Sequence, residues 1–368
     1  MTGAKPATMS RAGESSGPDR TRYMMPAEWE RHDATWIAWP HHEPDWPGKL
    51  GAIPWVYAEI VRVLHAHEQV EILCNDENVR STAAAMLMAH NVAQDGYRLH
   101  TVPTDRVWLR DSAPTFVWAE DGSVEMVSWH FNAWAKYDNY RLDNEVGAAL
   151  ERITGLPRVE AFRPDAEREP LVLEGGGIEV DGTGRVLVTE EWLLSDIQIR
   201  NPGMTRESYE AAFAHYLGAT ETVWLGRGSV GDDTHGHIDD IARFASANTV
   251  LLAFEENRSD ANHKPSVDNL KRLEAVATER SLRIVKLPYP RPVIMGAQRL
   301  PASYANFYIA NDVVLVPTFN DPMDRVALDI IAGEFPGRET VGIHSVDLVW
   351  GLGTLHCLTQ QQPAPREA

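Results

Sequence analysis

The sequence predicts an α/β fold made of about five similar modules around a common centre. Four segments recur along the chain, and each consists of an apolar run, a short polar turn and a second apolar run. Equivalent points in these segments, at Phe116, Ile178, Ile241 and Phe307, are separated by 62, 63 and 66 residues. A near-constant period of this length is typical of repeated supersecondary units. Stretches with the apolar spacing of helices separate the segments, which completes the α/β pattern.

Each recurring segment is expected to be a β-hairpin. The turn sequences EDG, DGTG, SAN and AND contain the glycine, asparagine or aspartate residues that tolerate positive φ. Apolar periodicity predicts helices at residues 142–153, 205–217, 267–280 and 323–335. Because a helix follows each hairpin at a similar interval, similar hairpin edges are expected to converge at one centre.

Residues 21–363 are expected to form a single domain. Length alone would suggest two or three domains, but a closed ring of modules is one unit. Residues 1–20 are small and polar and lack the apolar stretch of a secretory signal, so a disordered N-terminal tail is expected there. Residues 364–368 are expected to be a C-terminal tail. The chain contains no run of about 20 apolar residues, and we therefore expect a cytoplasmic protein without membrane partners.

Charge and cysteine content narrow the classes of partner. The formal net charge of −19 at pH 7 disfavours nucleic acid, whose binding normally needs a basic surface. It favours small cationic molecules, although acidic surfaces often serve only solubility. The two cysteines match no disulfide framework and no CxxC metal pattern, which fits a reduced compartment. Cys74 follows a strand-like apolar run and is expected to lie in the core.

Cys357 is the candidate nucleophile. It lies in GLGTLHCLTQQQP, after flexible glycines and before polar Thr359, Gln360 and Gln361. A small buried core residue is the alternative interpretation of any cysteine, but these neighbours are poor core material. A single unpaired thiol with a suitably placed histidine elsewhere in the chain is typical of an enzyme nucleophile.

The segment DDTHGHIDDIARF concentrates polar residues just before the third hairpin. If it begins a strand, His237 and Asp239 point into one cavity and Asp240 is turned aside, because residues two apart share a face. His235 is near enough in sequence to join them. One alternative is a solvated loop. Another is a metal site, because HGH resembles the HxH of metal-dependent amidohydrolases.

Two acids precede the first and second hairpins in the same way. Asp111 lies in DRVWLRDSAP, where Arg110 could pair with a carboxylate, and Glu174 lies in LVLEGGGIEV. The GGG run has neither the spacing nor the following helix of a phosphate-binding loop. Its glycines are therefore expected to let the backbone approach a ligand closely.

One thiol, one histidine and three carboxylates suit chemistry on a guanidinium group. This planar cation can be held by two carboxylates, for which Asp111 and Asp239 are the candidates. Holding it orients the central carbon for attack by Cys357. His237 would protonate the departing amine and then activate water. Glu174 would hold the imidazole and raise its pKa.

The chain resembles the agmatine deiminase and bacterial peptidylarginine deiminase family of guanidino-modifying enzymes. The resemblance extends from Met25 to Pro363, through MPAEWERHDATWIAWP, WLRDSAP, LEGGGIEVDG, GHIDDIARF, PASYANFYIAN and LHCLTQQQP in that order. It implies a five-bladed α/β propeller of ββαβ modules with pseudo-five-fold symmetry, so that residues 21–363 are one catalytic domain. It also implies no cofactor, no metal and a small cationic guanidino substrate, and we expect a homodimer.

The resemblance implies a role for each candidate residue. Cys357 is the nucleophile, His237 the acid and base, Glu174 its partner, Asp111 with Asp239 the guanidinium clamp, and Trp108 part of the substrate channel. The implied reaction converts agmatine to N-carbamoylputrescine and ammonia through a thiouronium intermediate.

Two segments depart from the family pattern. GLGTLHC stands where agmatine deiminases typically have GGGNIHC, and NAWAKYDNYRLDNEV replaces a glycine-rich loop. Both are expected near the pocket mouth, so peptidylarginine or another guanidino compound is the alternative substrate. Two other classes stay open: a metal-dependent hydrolase that releases urea, and a non-catalytic guanidinium-binding protein. The first would need Mn and would tolerate loss of Cys357, and the second would need no thiol.

Overall fold

Hairpins, helices and parallel strands alternate along the chain with the predicted period. The computed structural model describes residues 23–367, apart from the side chains of Glu279 and Arg280. The tail predicted at residues 1–20 lies outside the described residues.

Four sheets share one connection pattern, in which an antiparallel hairpin leads through a helix to a third strand parallel to the second. All four predicted hairpins are confirmed. The strands are β5 (Thr115–Ala119), β6 (Val124–Ser128) and β7 (Arg158–Glu160); β8 (Glu179–Val180), β9 (Arg185–Thr189) and β10 (Glu221–Leu225); β11 (Ala242–Ser246), β12 (Thr249–Phe254) and β13 (Arg283–Pro288); and β16 (Tyr308–Ile309), β17 (Val313–Thr318) and β18 (Glu339–His344). A short strand, β1 (Tyr23–Met24), pairs with β5, and a separate hairpin is formed by β14 (Ile294–Met295) and β15 (Gln298–Arg299).

A fifth sheet joins the two ends of the chain. Its first strand is β19 (Gln360–Pro363), which pairs antiparallel with β2 (His32–Ala38), and β3 (Gln69–Cys74) and β4 (Tyr97–Thr101) follow in parallel. The same ββαβ pattern therefore recurs a fifth time, with one strand from the C-terminus and the others from the N-terminus. The main chain of the predicted C-terminal tail continues from this sheet, and its Ala364 N–H donates to the carbonyl of Arg31 at 2.7 Å.

The longer helices connect the strands of these units. They are α1 (Ile53–Leu64), α2 (Glu77–Ala89), α4 (Val146–Thr154), α6 (Arg206–Leu217), α7 (His263–Arg280) and α8 (Met323–Glu334). All four predicted helices are present, although α7 begins earlier than predicted and a 3-10 turn replaces the start of α4. Capping residues define the ends of α6, where Thr205 accepts from the Ser208 N–H and Gly218 adopts φ +70°. Among residues 23–367, no helix has the length and apolarity that crossing a bilayer requires.

Short turns ahead of the first strands bring the candidate residues together. They are α3 (Leu109–Ser112) before β5, 3-10 turns at Gly175–Gly177 before β8 and Ile238–Asp240 before β11, and α9 (Leu355–Leu358) before β19. The turn of α3 contacts both α9 and the Gly175–Gly177 turn, which in turn contacts the Ile238–Asp240 turn. A fifth short helix, α5 (Glu190–Leu194), follows β9.

Beneath these turns, a buried arginine joins three parts of the chain. Arg243 in β11 is fully buried, and it donates to Glu179 of β8 at 2.8 Å and to Glu28 of the N-terminal segment (residues 23–31) at 2.9 Å. A buried cation between two acids compensates their charges, whereas either acid alone would be costly.

Replacing Arg243 with methionine is expected to lower the free energy of unfolding by about 3–5 kcal/mol, because Glu179 would remain buried without its arginine and Glu28 would keep only Arg110 of its two arginine partners. Urea denaturation of both variants measures the change. The matched control is Arg283→Met, since Arg283 pairs with Glu334 at the surface and such pairs contribute about 0–1 kcal/mol. Equal losses in the two variants would contradict the role assigned to the buried arginine.

Candidate active site

A cavity of about 570 Å³ lies over the converging turns. Cys357 and Asp111 lie in its wall, together with the aromatic rings of Trp108 and Trp134. The two segments that depart from the family pattern both contribute, as expected, through Gly351, Leu352, Gly353, Trp134, Tyr137 and Asn139. The sequence prediction that these segments lie near the pocket is confirmed.

The thiol of Cys357 is buried among polar groups. Its Sγ accepts a hydrogen bond from the side-chain amide of Asn306 at 3.1 Å and lies 3.5 Å from Oδ2 of Asp239. Burial raises the pKa of the thiol well above its usual range, and the nearby charges of Asp239 and Asp111 raise it further. The cysteine is therefore a neutral thiol in the free protein. Cys74, by contrast, is fully buried in the hydrophobic core, as predicted.

Asn306 orients the turn that carries the cysteine. Its Oδ1 accepts from the hydroxyl of Thr354 at 2.8 Å and from the His356 N–H at 3.1 Å, while its amide reaches Sγ of Cys357. The sequence analysis missed this residue. A signal was present, because Asn306 directly precedes Phe307, as Asp240 directly precedes Ile241 in the third segment.

His237 lies between two carboxylates. Its Nε2 is 3.4 Å from Oε2 of Glu174, and its Nδ1 is 3.7 Å from Oδ1 of Asp111. Burial acts to lower the pKa of the imidazole, but the charges of Asp111, Glu174 and Asp239 outweigh it and raise this pKa to about 9. The ring is therefore protonated at neutral pH.

Glu174 is ionised, and Trp192, Arg200 and His237 surround its carboxylate. Its Oε2 accepts from the indole of Trp192 at 2.7 Å, and its Oε1 accepts from Arg200 at 3.0 Å. Burial acts to raise the pKa of this carboxyl, but Arg200 and His237 lower it to about 2. Arg200 was not identified from the sequence, because nothing in its neighbourhood indicates that it reaches this acid.

Asp111 is held by a backbone and an indole donor. The Gly176 N–H donates to its Oδ1 at 3.0 Å and the Trp134 indole to its Oδ2 at 2.8 Å. Burial raises its pKa to about 6, with Asp239 and Glu174 adding to the rise against the effect of His237. Three consecutive residues around the indole, Ala133–Ala135, have φ between 51° and 58°, a strained left-handed turn.

Asp239 has one anchored and one unsatisfied oxygen. Its Oδ2 is 2.8 Å from Nδ1 of His356, whereas its Oδ1 is buried without a hydrogen-bond partner among the described residues. Nδ1 of His237 is likewise buried and unpartnered in that part of the chain. Burying polar atoms without partners is costly, so these atoms indicate a place where a ligand would bind.

Gly176 leaves the space between these groups open. A Cβ built at this position would be 2.6 Å from Nδ1 of His237, 2.8 Å from Oδ1 of Asp111 and 3.1 Å from Oδ2 of Asp239. Three candidate residues therefore surround one point on the backbone of the GGG run. The close approach predicted for these glycines fits this position.

Parts of the sequence interpretation of residues 235–240 are wrong. His237 and Asp239 do share the site, but through the 3-10 turn Ile238–Asp240 and not through strand alternation. Asp240 is buried beside the site, where its Oδ1 accepts from the amide of Asn306 at 3.1 Å. His235 has φ +65°, and its Nε2 lies 2.9 Å from the Ser195 hydroxyl. The two histidines of HGH therefore diverge and do not form the pair that the metal alternative requires.

The fold and the site define an α/β protein of repeated ββαβ units with a buried cysteine, histidine and carboxylate centre. Residues 24–363 match the family model of the Porphyromonas-type peptidyl-arginine deiminases. The chain is 33% identical over 379 residues to the agmatine deiminase of Pseudomonas aeruginosa (strain LESB58), covering 96% of this chain and 99% of the relative. It is 34% identical over 381 residues to the agmatine deiminase of Pseudomonas savastanoi pv. phaseolicola (strain 1448A / Race 6), with coverages of 96% and 99%.

A solved structure gives the same result. The agmatine deiminase of Enterococcus faecalis superposes with a TM-score of 0.84 at 27% identity, covering 94% of this chain and 97% of that one. This protein belongs to the Porphyromonas-type peptidyl-arginine deiminase family.

Replacing Glu174 with glutamine is expected to lower the pKa of His237. Removing an opposite charge within a few ångströms commonly shifts a pKa by about 1–3 units, and here Arg200 would also lose its counter-charge. An NMR titration of the ring resonances measures the shift. The control is Glu190→Gln, because Glu190 pairs with Arg206 and Arg272 near the surface. An unchanged His237 pKa in the Glu174 variant would contradict the electrostatic account.

Proposed function

We propose that this protein is a hydrolase of linear amidines that converts agmatine and water to N-carbamoylputrescine and ammonia through a thiouronium intermediate on Cys357. The observation that carries the proposal is Asp239, whose Oδ2 lies 3.5 Å from the thiol sulfur and whose Oδ1 is buried without a hydrogen-bond partner among the described residues, with Asp111 close by. A planar guanidinium cation supplies an N–H donor for this Oδ1 and a positive charge between the two acids. The agmatine deiminases among the relatives support the same substrate.

The first half-reaction forms a carbon–sulfur bond. Asp111 and Asp239 hold the guanidinium and place its central carbon against Sγ of Cys357. The positive charge of the bound substrate favours the thiolate, so the thiol loses its proton to solvent on substrate binding although its pKa in the free protein is raised. Sγ attacks the central carbon, protonated His237 gives its proton to the departing nitrogen, and the carbon–nitrogen bond breaks to release ammonia.

The second half-reaction uses the same groups with water. His237, now neutral, takes a proton from water as the water oxygen bonds to the central carbon. The carbon–sulfur bond breaks, its electron pair returns to the sulfur of Cys357, the remaining hydroxyl proton of the intermediate restores the thiol, and the ureido product leaves. Ionised Glu174 stabilises the imidazolium form of the histidine. Trp108 lines the channel that the substrate tail occupies, and none of these steps uses a cofactor.

The finer architecture is part of the proposal. The five ββαβ units surround the site with pseudo-five-fold symmetry, as a five-bladed α/β propeller. The contacts between the turns ahead of the first strands support this arrangement, and so does the pairing of β19 with β2. Residues 21–363 are then the single catalytic domain, followed by the C-terminal tail at 364–368. The cytoplasmic location, the homodimer and the lack of nucleic-acid or membrane partners stay predictions from the sequence.

One observation favours a second substrate, an arginine side chain within a peptide. The cavity is lined by two acids besides Asp111, namely Asp45 and Asp233. Each already has a cationic partner, because Asp45 pairs with Arg106 and Asp233 pairs with Lys136. The terminal ammonium of agmatine would compete with these cations, whereas the uncharged backbone of a peptide would not.

Replacing Cys357 with alanine is expected to lower ammonia release by on the order of 1,000-fold or more, because no covalent intermediate can form. The assay supplies agmatine, arginine or an arginyl peptide together with excess chelator, and it detects ammonia and ureido product. The relative rates identify the substrate. Cys74→Ala is the matched control and should retain activity, since Cys74 lies in the core away from the site. Release of urea, or full activity of the Cys357 variant, would overturn the proposal.

Replacing Asp111 or Asp239 with asparagine is expected to lower kcat/KM by about 100- to 1,000-fold or more, since removing one side of a buried charge pair costs roughly 3–5 kcal/mol. The matched control is Asp240→Asn. Burial and the charges of Asp239 and Asp232 raise the pKa of Asp240 well above its usual range, so it is already neutral and should lose less than about tenfold. A clamp variant with near-normal turnover would remove that residue from the clamp.

A further inference from the structure

The histidine that precedes the nucleophile has no role in the steps above, yet it is buried against the site. His356 lies in α9, and its ring faces the N-terminal segment on one side and the Ile238–Asp240 turn on the other. Its Nδ1 is 2.8 Å from Oδ2 of Asp239, and its Nε2 is 2.8 Å from Oε2 of Glu28. Both ring nitrogens therefore lie at hydrogen-bonding distance from carboxylate oxygens.

These two contacts require two N–H donors. A neutral imidazole has a single N–H, so one of its nitrogens would present a lone pair to a carboxylate lone pair. An imidazolium ring donates to both oxygens, and each of these bonds is then charge-assisted. The alternative is that one of the two carboxyl groups is protonated.

The surroundings keep both carboxyl groups ionised. Burial acts to raise the pKa of Glu28, but Arg243, His356 and Arg110 outweigh it and hold that pKa well below the usual range. The main-chain Ile309 N–H also donates to Glu28, at 2.8 Å. Since Arg110 and Arg243 also donate to Glu28, its oxygens act as acceptors, and Nε2 of the ring is therefore a donor.

Asp239 is held in the same state. Burial acts to raise its pKa, but the hydrogen bond and charge of His356, with the charges of His237 and Arg243, outweigh burial and lower it. The charged or titratable groups around the ring and its two partners are Glu28, Arg110, Asp111, Glu179, His237, Asp239, Asp240, Arg243 and Cys357.

The contact with His356 decides which oxygen of Asp239 can bind substrate. The ring fixes Oδ2, the oxygen that also lies 3.5 Å from Sγ of Cys357, whereas Oδ1 is left without a partner. An unanchored carboxylate could rotate about its terminal torsion and pair with other donors. An anchored one presents a single oxygen in a fixed direction.

We propose that His356 is a positioning residue that donates from both ring nitrogens, fixing Oδ2 of Asp239 so that Oδ1 is presented to the guanidinium. This inference rests on the proposed function and deepens it. Its cation also offsets the second negative charge that Asp239 brings next to the nucleophile. Glu28 holds the far side of the ring and so connects the N-terminal segment to the clamp.

The protonation state is tested on the native protein. Nitrogen NMR of the histidine rings, with the His356 signals assigned from their loss in a His356→Gln variant or by resonance connectivity, should show both ring nitrogens of His356 protonated at pH 8. A neutral tautomer at that pH would overturn the proposal. This measurement decides the question even if every His356 variant fails to fold.

The positioning role is tested by agmatine binding in a Cys357→Ala background, where no chemistry occurs. His356→Gln keeps a donor near the Nε2 position, toward Glu28, and His356→Asn keeps one near the Nδ1 position, toward Asp239. We expect the Kd for agmatine to rise about 10- to 100-fold with glutamine and less with asparagine, because the glutamine variant loses the charge-assisted bond to the clamp. Folded variants whose Kd stays within twofold would overturn the proposal.

The pH profile separates this role from a purely structural one. In the enzyme with Cys357 intact, both His356 variants should shift the acidic limb of kcat/KM to higher pH, since Asp239 loses a cation and is protonated more easily. The matched control is His100→Gln. His100 of β4 also contacts a carboxylate, with its Nε2 2.6 Å from Oε2 of Glu71 in β3, but this pair lies outside the site. That control should leave the limb in place. A wild-type enzyme that neither binds nor hydrolyses agmatine would refute the proposed function, while the ring protonation would still be decided by NMR.

Discussion

The centre of this protein depends on compensation of buried carboxylates by buried cations. Glu28, Glu174, Glu179 and Asp239 are all almost fully buried, and no acid could stay ionised there without a partner. The compensating groups come from distant parts of the chain: Arg110, Arg200, Arg243, His237 and His356. Arg200 pairs with Glu174 within one unit, whereas His237 and Arg243 contact acids of a neighbouring unit, so these charge pairs hold units together and set the protonation state of the site.

The same constraint separates two kinds of acid at the site. Glu174 has a buried arginine beside it, and its pKa is about 2, whereas burial raises the pKa of Asp111 to about 6 despite the nearby charge of His237. The acids that face Cys357 also raise the pKa of its thiol. The negative charges around Cys357 disfavour its thiolate until a cation enters the site. A cationic substrate therefore favours the thiolate that its own reaction needs.

Because the units repeat, the sequence alone predicts site residues that come from distant parts of the chain. Each unit begins with a short turn ahead of its first strand, and the turns contact one another. Polar residues at equivalent phases, such as Asp111, Glu174 and His237, were therefore recognisable from the period. Asn306 directly precedes Phe307, as Asp240 directly precedes Ile241, and it was overlooked because an amide at the start of a strand is easily explained as turn chemistry.

The amino-acid sequence by itself determined the hairpins, the helices between them, the nucleophile candidate and the acids around it, because periodicity and local turn chemistry are properties of short segments. Tertiary structure alone decided that β19 closes onto β2, that Arg200 holds Glu174, that the two histidines of HGH diverge, and that His356 lies between Glu28 and Asp239. Most of these contacts join residues that are far apart along the chain. The divergence of the two histidines depends on the backbone, since His235 has φ +65°. Neither spacing nor composition records such relations, since they arise only when the units pack and their buried charges must find partners.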